Sequence, residues 1–147
     1  MAEAWLKFNN QKSKITTMAI YHQMQVVRLT AGADLSACEG CFVTVDGATG
    51  TATLTTGSTT ADKVYGVLDG VDVKDRPVDV ILPGCSGIVG VKLHSGSAAV
   101  VPGDRLVLGA NGTVTKGSSG TFVAVAVGSG TAGNLTPVRL VQPTTLG

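Results

Sequence analysis

Thiol, metal and nucleophilic chemistry in this chain would have to come from Cys38, Cys41, Cys85, His22 and His94, with the hydroxyls and carboxylates near them. Cys38-Glu39-Gly40-Cys41 has the CxxC spacing that pinches a zinc ion or forms a redox disulfide. A tetrahedral structural site needs four nitrogen or sulfur ligands, so Cys85, His22 and His94 would have to complete it. Further along the chain, Val101 and Arg105 stand near the corresponding positions, and Gly40 aligns with Gly103 in a turn before a strand. The expectation is small packing cysteines flanking a turn, with no metal and no cofactor.

Other constellations fail on context. Gly84-Cys85-Ser86-Gly87 could offer a nucleophile to His94 and an aspartate, but it is not GxSxG and no strand, elbow and helix surround it. Gly128-Ser129-Gly130-Thr131-Ala132-Gly133 matches GxGxxG after an apolar strand. A dinucleotide site also needs a helix starting at the loop and an acidic residue about 20 positions on, whereas Pro137 and a strand follow here. Asp69, Asp72, Asp75 and Asp79 form the densest acidic run without the spacing of a calcium loop. They read as a solvated loop or a contact with a basic partner. Asn111-Gly112-Thr113 and Asn134-Leu135-Thr136 match the glycosylation sequon, which matters only in an exported chain. No catalytic residue is expected.

The elements that carry these residues are short strands and turns. The 147 residues include 20 glycines and 21 valines, with 14% charged and 4% aromatic residues, a usage that disfavours a helical bundle. Phe42-Val43-Thr44-Val45 and Arg105-Leu106-Val107-Leu108 read as strands closing on the turn signals Asp46-Gly47 and Asn111-Gly112. Val78 to Ile81 and Val138 to Val141 read as strands at an edge or just beginning, because Pro77 and Pro137 lack a ladder donor. Phe122 to Val127 is apolar throughout and reads as covered on both faces. Eight to eleven short strands imply an all-β compact barrel or sandwich.

The chain also divides along its length. Every glycine lies at Gly32 or beyond, while the three methionines and Trp5 lie before it. The first 28 residues carry four basic groups against Glu3, a net of +3; the remainder carries seven basic and nine acidic groups, a net of −2. Residues 1–28 are therefore expected to be an arm with the first strand, residues 29–141 a β-rich domain, and residues 142–147 a tail. Within the domain an internal repeat is expected, with copies at 29–82 and 93–141. Gly32 aligns with Gly96, Gly40 with Gly103, Gly70 with Gly130 and Pro77 with Pro137. A net charge of +1 lacks the basic stripe of a nucleic-acid binder, and no apolar run approaches the roughly 20 residues of a membrane helix. The start of the chain is too polar for a signal peptide, and three cysteines fit a reducing compartment, so a soluble, unexported chain is expected.

The ordered elements TAGADLSACEGCFVTVDG, VYGVLDGV and PVDVIL, followed by PGDRLVLGANGTVTKG and VRLV, resemble the small head-decoration or capsid-cement proteins of tailed bacteriophages. The resemblance spans roughly residues 29–141. It implies a subunit on the outer face of the virion, made in the host cytoplasm, often trimeric, that clamps neighbouring major capsid subunits without touching nucleic acid or membrane. It also implies an arm that contacts the shell, with Trp5, Leu6 and Phe8 as apolar anchors and Lys7, Lys12 and Lys14 facing acidic capsid surface. The competing expectation is a carbohydrate-binding or host-adhesion module, which needs an exposed aromatic platform. The body offers only Phe42, Tyr65 and Phe122 for one.

Overall fold

Alternation of β-branched and small residues, broken by glycine and aspartate turns, folds the chain into ten strands among the described residues. A computed structural model describes residues 25–84 and 87–147. The strands are β1 (Val26–Ala31), β2 (Phe42–Val45), β3 (Thr51–Leu54), β4 (Gly66–Gly70), β5 (Pro77–Ile81), β6 (Ile88–Lys92), β7 (Arg105–Leu108), β8 (Val114–Lys116), β9 (Gly120–Ala126) and β10 (Leu135–Leu146). The first five close into a barrel of order β1-β3-β2-β4-β5, and the last five form a sheet of order β6-β10-β9-β7-β8. The fold is all-β, as composition and pattern imply.

The two halves have the same strand order. Passing round the barrel from β1 in the other direction gives β1-β5-β4-β2-β3, which is the order of the sheet with each strand five places on. The barrel closes through parallel pairing of β1 and β3 at Thr30↔Thr51 and Ala31↔Ala52. In the sheet the equivalent contact is a single parallel bridge, Leu93↔Val114.

Backbone hydrogen bonds fix which residues correspond. Gly40 N–H donates to Leu68 and Leu68 N–H to Cys41; Gly103 N–H donates to Ala126 and Ala126 N–H to Asp104. Gly40 and Gly103 thus hold one position, both at positive φ (81° and 94°), where a side chain would be strained. The other three sequence pairings shift by two residues. Gly32 and His94 donate to Ala52 and Val114, so Gly32 answers to His94 and not to Gly96. Leu35 N–H donates to Asp72 and Val100 N–H to Gly130, which sets Gly70 against Gly128 by count. Leu68↔Val80 and Ala126↔Val138 set Pro77 against Leu135. A slip of two keeps every side chain on its own face, so hydrophobic alternation does not detect it.

Several local expectations are corrected. Pro137 lies inside β10, which has β6 on one side and β9 on the other, and not at an edge. Val127 N–H donates to the Pro137 carbonyl, so the donor that proline lacks would face Val127, one residue past the end of β9. Residues 142–146, expected as tail, are strand, with Thr144, Thr145 and Leu146 paired to β9 beyond a bulge. After β2 the positive φ falls at Gly50 and not at Gly47, because Asp46 Oδ1 accepts the N–H groups of Ala48 and Thr49 and builds a longer turn. Asn111 and Gly112 both take positive φ, at 53° and 76°, within a 3-10 turn. In β9, Val123 and Ala124 are buried, but Phe122 and Val125 are only half-covered, and Val127, just past the strand, is exposed.

Alternation within β2, β4 and β5 serves two cores at once. Val43, Leu68 and Val80 fill the barrel with Ala31, Leu35 and Val78. Their neighbours Phe42, Val67 and Ile81 form one cross-strand row that faces the other way. That row packs against Val91, Leu106, Val123 and Val138 in the core of the second sheet. Replacing Phe42 by Ala should cost about 3–5 kcal/mol and lower the denaturant midpoint of both halves in one transition; separate transitions would show the halves to be independent.

Thr136 is a second pressure point. It is fully buried in β10 at the place Val78 holds in β5, and its Oγ1 has no hydrogen-bond partner among the described residues. Gly130 lies over it, and a Cβ there would overlap the threonine side chain. Thr136→Val keeps the shape and removes an unpaired hydroxyl, so it should stabilise the protein by about 1 kcal/mol in denaturant titration. A loss of stability would mean that the hydroxyl has a partner.

Candidate interaction surface

β6, β10, β9 and β7 bury one face against the barrel and present the other to solvent. On the outer face the register makes a row: Ile88 opposite Arg139, Arg139 opposite Val125, and Val125 opposite Arg105. The next row holds Gly90, Pro137 and Val127, and the next Lys92 and Leu135. Ile88 is 65% exposed, Leu135 49% and Val127 39%. Isolated exposed valines are ordinary, but large apolar side chains alternating with guanidinium groups across adjacent strands mark a face suited to protein contact. The Arg105 guanidinium stands over the Phe122 ring, 5.8 Å from its centroid, within cation–π range.

The residues singled out for chemistry do not converge. Cys38 and Cys41 flank a turn in which Cys41 N–H donates to the Cys38 carbonyl, with Gly40 between them at positive φ. Cys41 is buried, and desolvation with the neighbouring Cys38 pushes its thiol up to about 12, which disfavours the thiolate that redox or metal chemistry needs. His94 Nδ1 accepts the Gly96 N–H at 2.9 Å. Cys85, Ser86 and His22 lie outside the described residues, as do Trp5, Leu6, Lys7, Phe8, Lys12 and Lys14. No group of three or more His, Cys, Asp or Glu that could hold a metal occurs among the described residues.

Glycines 128–133 form the loop from β9 to β10, tied down by the Val100↔Gly130 bridge, with no helix to face a phosphate. The acidic run is divided: Asp79 pairs with Arg28 at 2.9 Å and Asp72 lies 4.0 Å from Arg76. Asp75 takes φ 70°, and Gly133, equivalent by its hydrogen bond, takes 81°. A shallow recess of about 340 Å³ between residues 36–39 and the start of β10 contains Glu39 and Lys92. The hydroxyl of Ser36 on its rim is spent on Asp34, whose carboxyl it holds below the usual range. Phe42 is buried and Tyr65 and Phe122 are half-covered, so these three make no open aromatic platform. No helix among the described residues is long and apolar enough to cross a membrane.

The arginine and apolar rows could not be found from composition, because Ile88, Arg105, Val125 and Arg139 are far apart in the chain and only strand order unites them. The available signal was the scarcity of acidic residues after Asp79.

No protein-family model matches the chain, and no curated protein matches it in sequence. Among solved structures, the head fiber gp8.5 N base of bacteriophage phi29 is similar, with a TM-score of 0.58 at 17% identity, over 84% of this chain and 98% of that one. The likeness is one of fold.

The Cys41 environment has a measurable consequence. With Cys38 and Cys85 replaced by serine, Cys41 should resist a disulfide reagent at pH 8 while the chain is folded and react at once in denaturant. Its raised pKa favours folding fully below the unfolded value, roughly 8.5, and that contribution is lost as pH rises toward about 12. Rapid labelling of the folded protein at pH 8 would contradict this burial.

Proposed function

We propose that this chain is a non-enzymatic structural protein of a bacteriophage virion, bound to the outside of the head, where it clamps neighbouring major capsid subunits. The observation that carries this reading is the likeness of its fold to a phage head fiber base, which covers nearly all of that chain. The resemblance of its Gly-Asp turns and short valine strands to head-decoration and cement proteins points to the same place. Shell reinforcement works through many copies of a small subunit, not through one strong site, and a flat apolar and cationic sheet face suits that use.

The arm supplies the capsid contact. Trp5, Leu6 and Phe8 are the anchors that fill apolar recesses, and Lys7, Lys12 and Lys14 face acidic shell surface. Such an arm binds by adding a strand to the partner or by seating its anchors in recesses. The subunit acts as a homotrimer, and homo-oligomer contacts are the more apolar kind. A carbohydrate-binding role has no comparable support, since Phe42 is buried and Phe122 lies beneath Arg105.

Heads prepared without this protein and mixed with the full chain should become decorated at a copy number near that of the coat subunit, counted by electron microscopy and gel densitometry. Bare heads at saturating protein would overturn the reading. Deleting residues 1–14 should leave the melting temperature of the body unchanged and remove most head binding; undiminished binding would exclude the arm as anchor.

A further inference from the structure

Charge is segregated between the two halves. Residues 26–81 carry four basic and eight acidic side chains, a net of −4, whereas residues 88–146 carry four basic and one acidic, a net of +3. The single acid of the second half, Asp104, accepts the Val101 N–H at 2.9 Å and pairs with Lys116 at 3.2 Å. Lys92, Arg105 and Arg139 therefore form no ion pair among the described residues. All three stand on the outer face of the second sheet, among Ile88, Val127 and Leu135.

The barrel carries the converse surface. Between Asp69 in β4 and Asp79 in β5 the chain carries four carboxylates against Lys74 and Arg76, with Val73 47% exposed in the middle of the run. Arg28 and Arg76 engage Asp79 and Asp72, and no ion pair among the described residues uses Asp69 or Asp75. The sheet face is apolar with three cations in no ion pair, and the barrel segment presents an exposed valine with two carboxylates and Lys74 in no ion pair among the described residues.

We infer that the outer face of β6, β10, β9 and β7 docks the Asp69–Asp79 segment of a second copy of this chain. Val73 of one subunit packs on Val125 and Val127 of the next, while Arg105 and Arg139 meet Asp69 and Asp75. The two arginines flank Val125 at two strand spacings, roughly 10 Å apart, which leaves room for an apolar contact between two charge pairs. The surfaces are different, so the contact is head-to-tail and closes into a ring when the rotation allows. This rests on the homo-oligomer reading above and adds to it the two surfaces and their polarity.

Sedimentation of the full chain tests it. The unsubstituted protein should self-associate, and less so as salt rises from about 50 to 500 mM. R105E/R139E and D69K/D75N should each weaken self-association by roughly tenfold or more, with an unchanged far-ultraviolet spectrum and a cooperative melt. Asn at position 75 tolerates the positive φ found there. Mixed together, the two variants should co-sediment, because the sheet face made acidic in one meets a barrel segment reversed at position 69 and neutralised at position 75 in the other. Self-association indifferent to both variants would overturn this interface and leave the oligomer reading standing. Loss in each without rescue on mixing would overturn the head-to-tail arrangement. Variants that self-associate normally but fail to bind heads would assign the face to the capsid and overturn the inference. An unsubstituted chain that stays monomeric at every concentration would overturn both readings, whereas the expected rescue together with bare heads would sink the capsid reading alone.

Discussion

The molecule depends on one row of side chains. Phe42, Val67 and Ile81 lie side by side across β2, β4 and β5, with their backs to the barrel interior and their faces in the core of the second sheet. A five-stranded barrel has a small interior, filled here by residues such as Val43, Leu68 and Val80. The outward row lets the same strands serve as the cover of a second, larger core, so neither half has to be stable alone. Below about 150 residues this sharing matters, because surface takes a large fraction of a small domain.

Much of this architecture was legible in the sequence. The strands Phe42–Val45 and Arg105–Leu108 lie where the apolar runs and turn residues put them, and Gly40 and Gly103 hold matching positions. What alternation could not supply was register. Each misplaced pairing is off by two residues, the one displacement that leaves inside and outside unchanged. The edge reading of Pro137 failed for a related reason: a proline is acceptable inside a sheet where its missing donor faces the end of a neighbouring strand, and only strand order reveals that.

The surface was less legible than the core. A body net charge of −2 looks nearly neutral, yet it averages an acidic barrel and a basic sheet. Chain order conceals the division because Arg105 and Arg139 become neighbours of Val125 only once β7, β9 and β10 are assembled. The chemical motifs failed in the opposite direction: CxxC and GxGxxG are visible in sequence but dissolve into a buried thiol beside a turn and a loop pinned to Val100. Glycine-rich β sequences produce such matches because turns recur at short spacing.

The Leu93↔Val114 bridge has a mechanical meaning. Two successive pairs, Thr30↔Thr51 and Ala31↔Ala52, lock the barrel's circumference, whereas a single pair spans the equivalent gap in the sheet. A ring closed by one backbone pair and a side-chain tie, Lys116 N–H to Ser97 Oγ at 3.2 Å, changes its curvature at lower cost than one closed by two backbone pairs. The protein therefore combines a part of fixed radius with a part whose radius can yield, and the yielding part bears the exposed face. That compliance would let identical subunits seat against surfaces of unequal curvature.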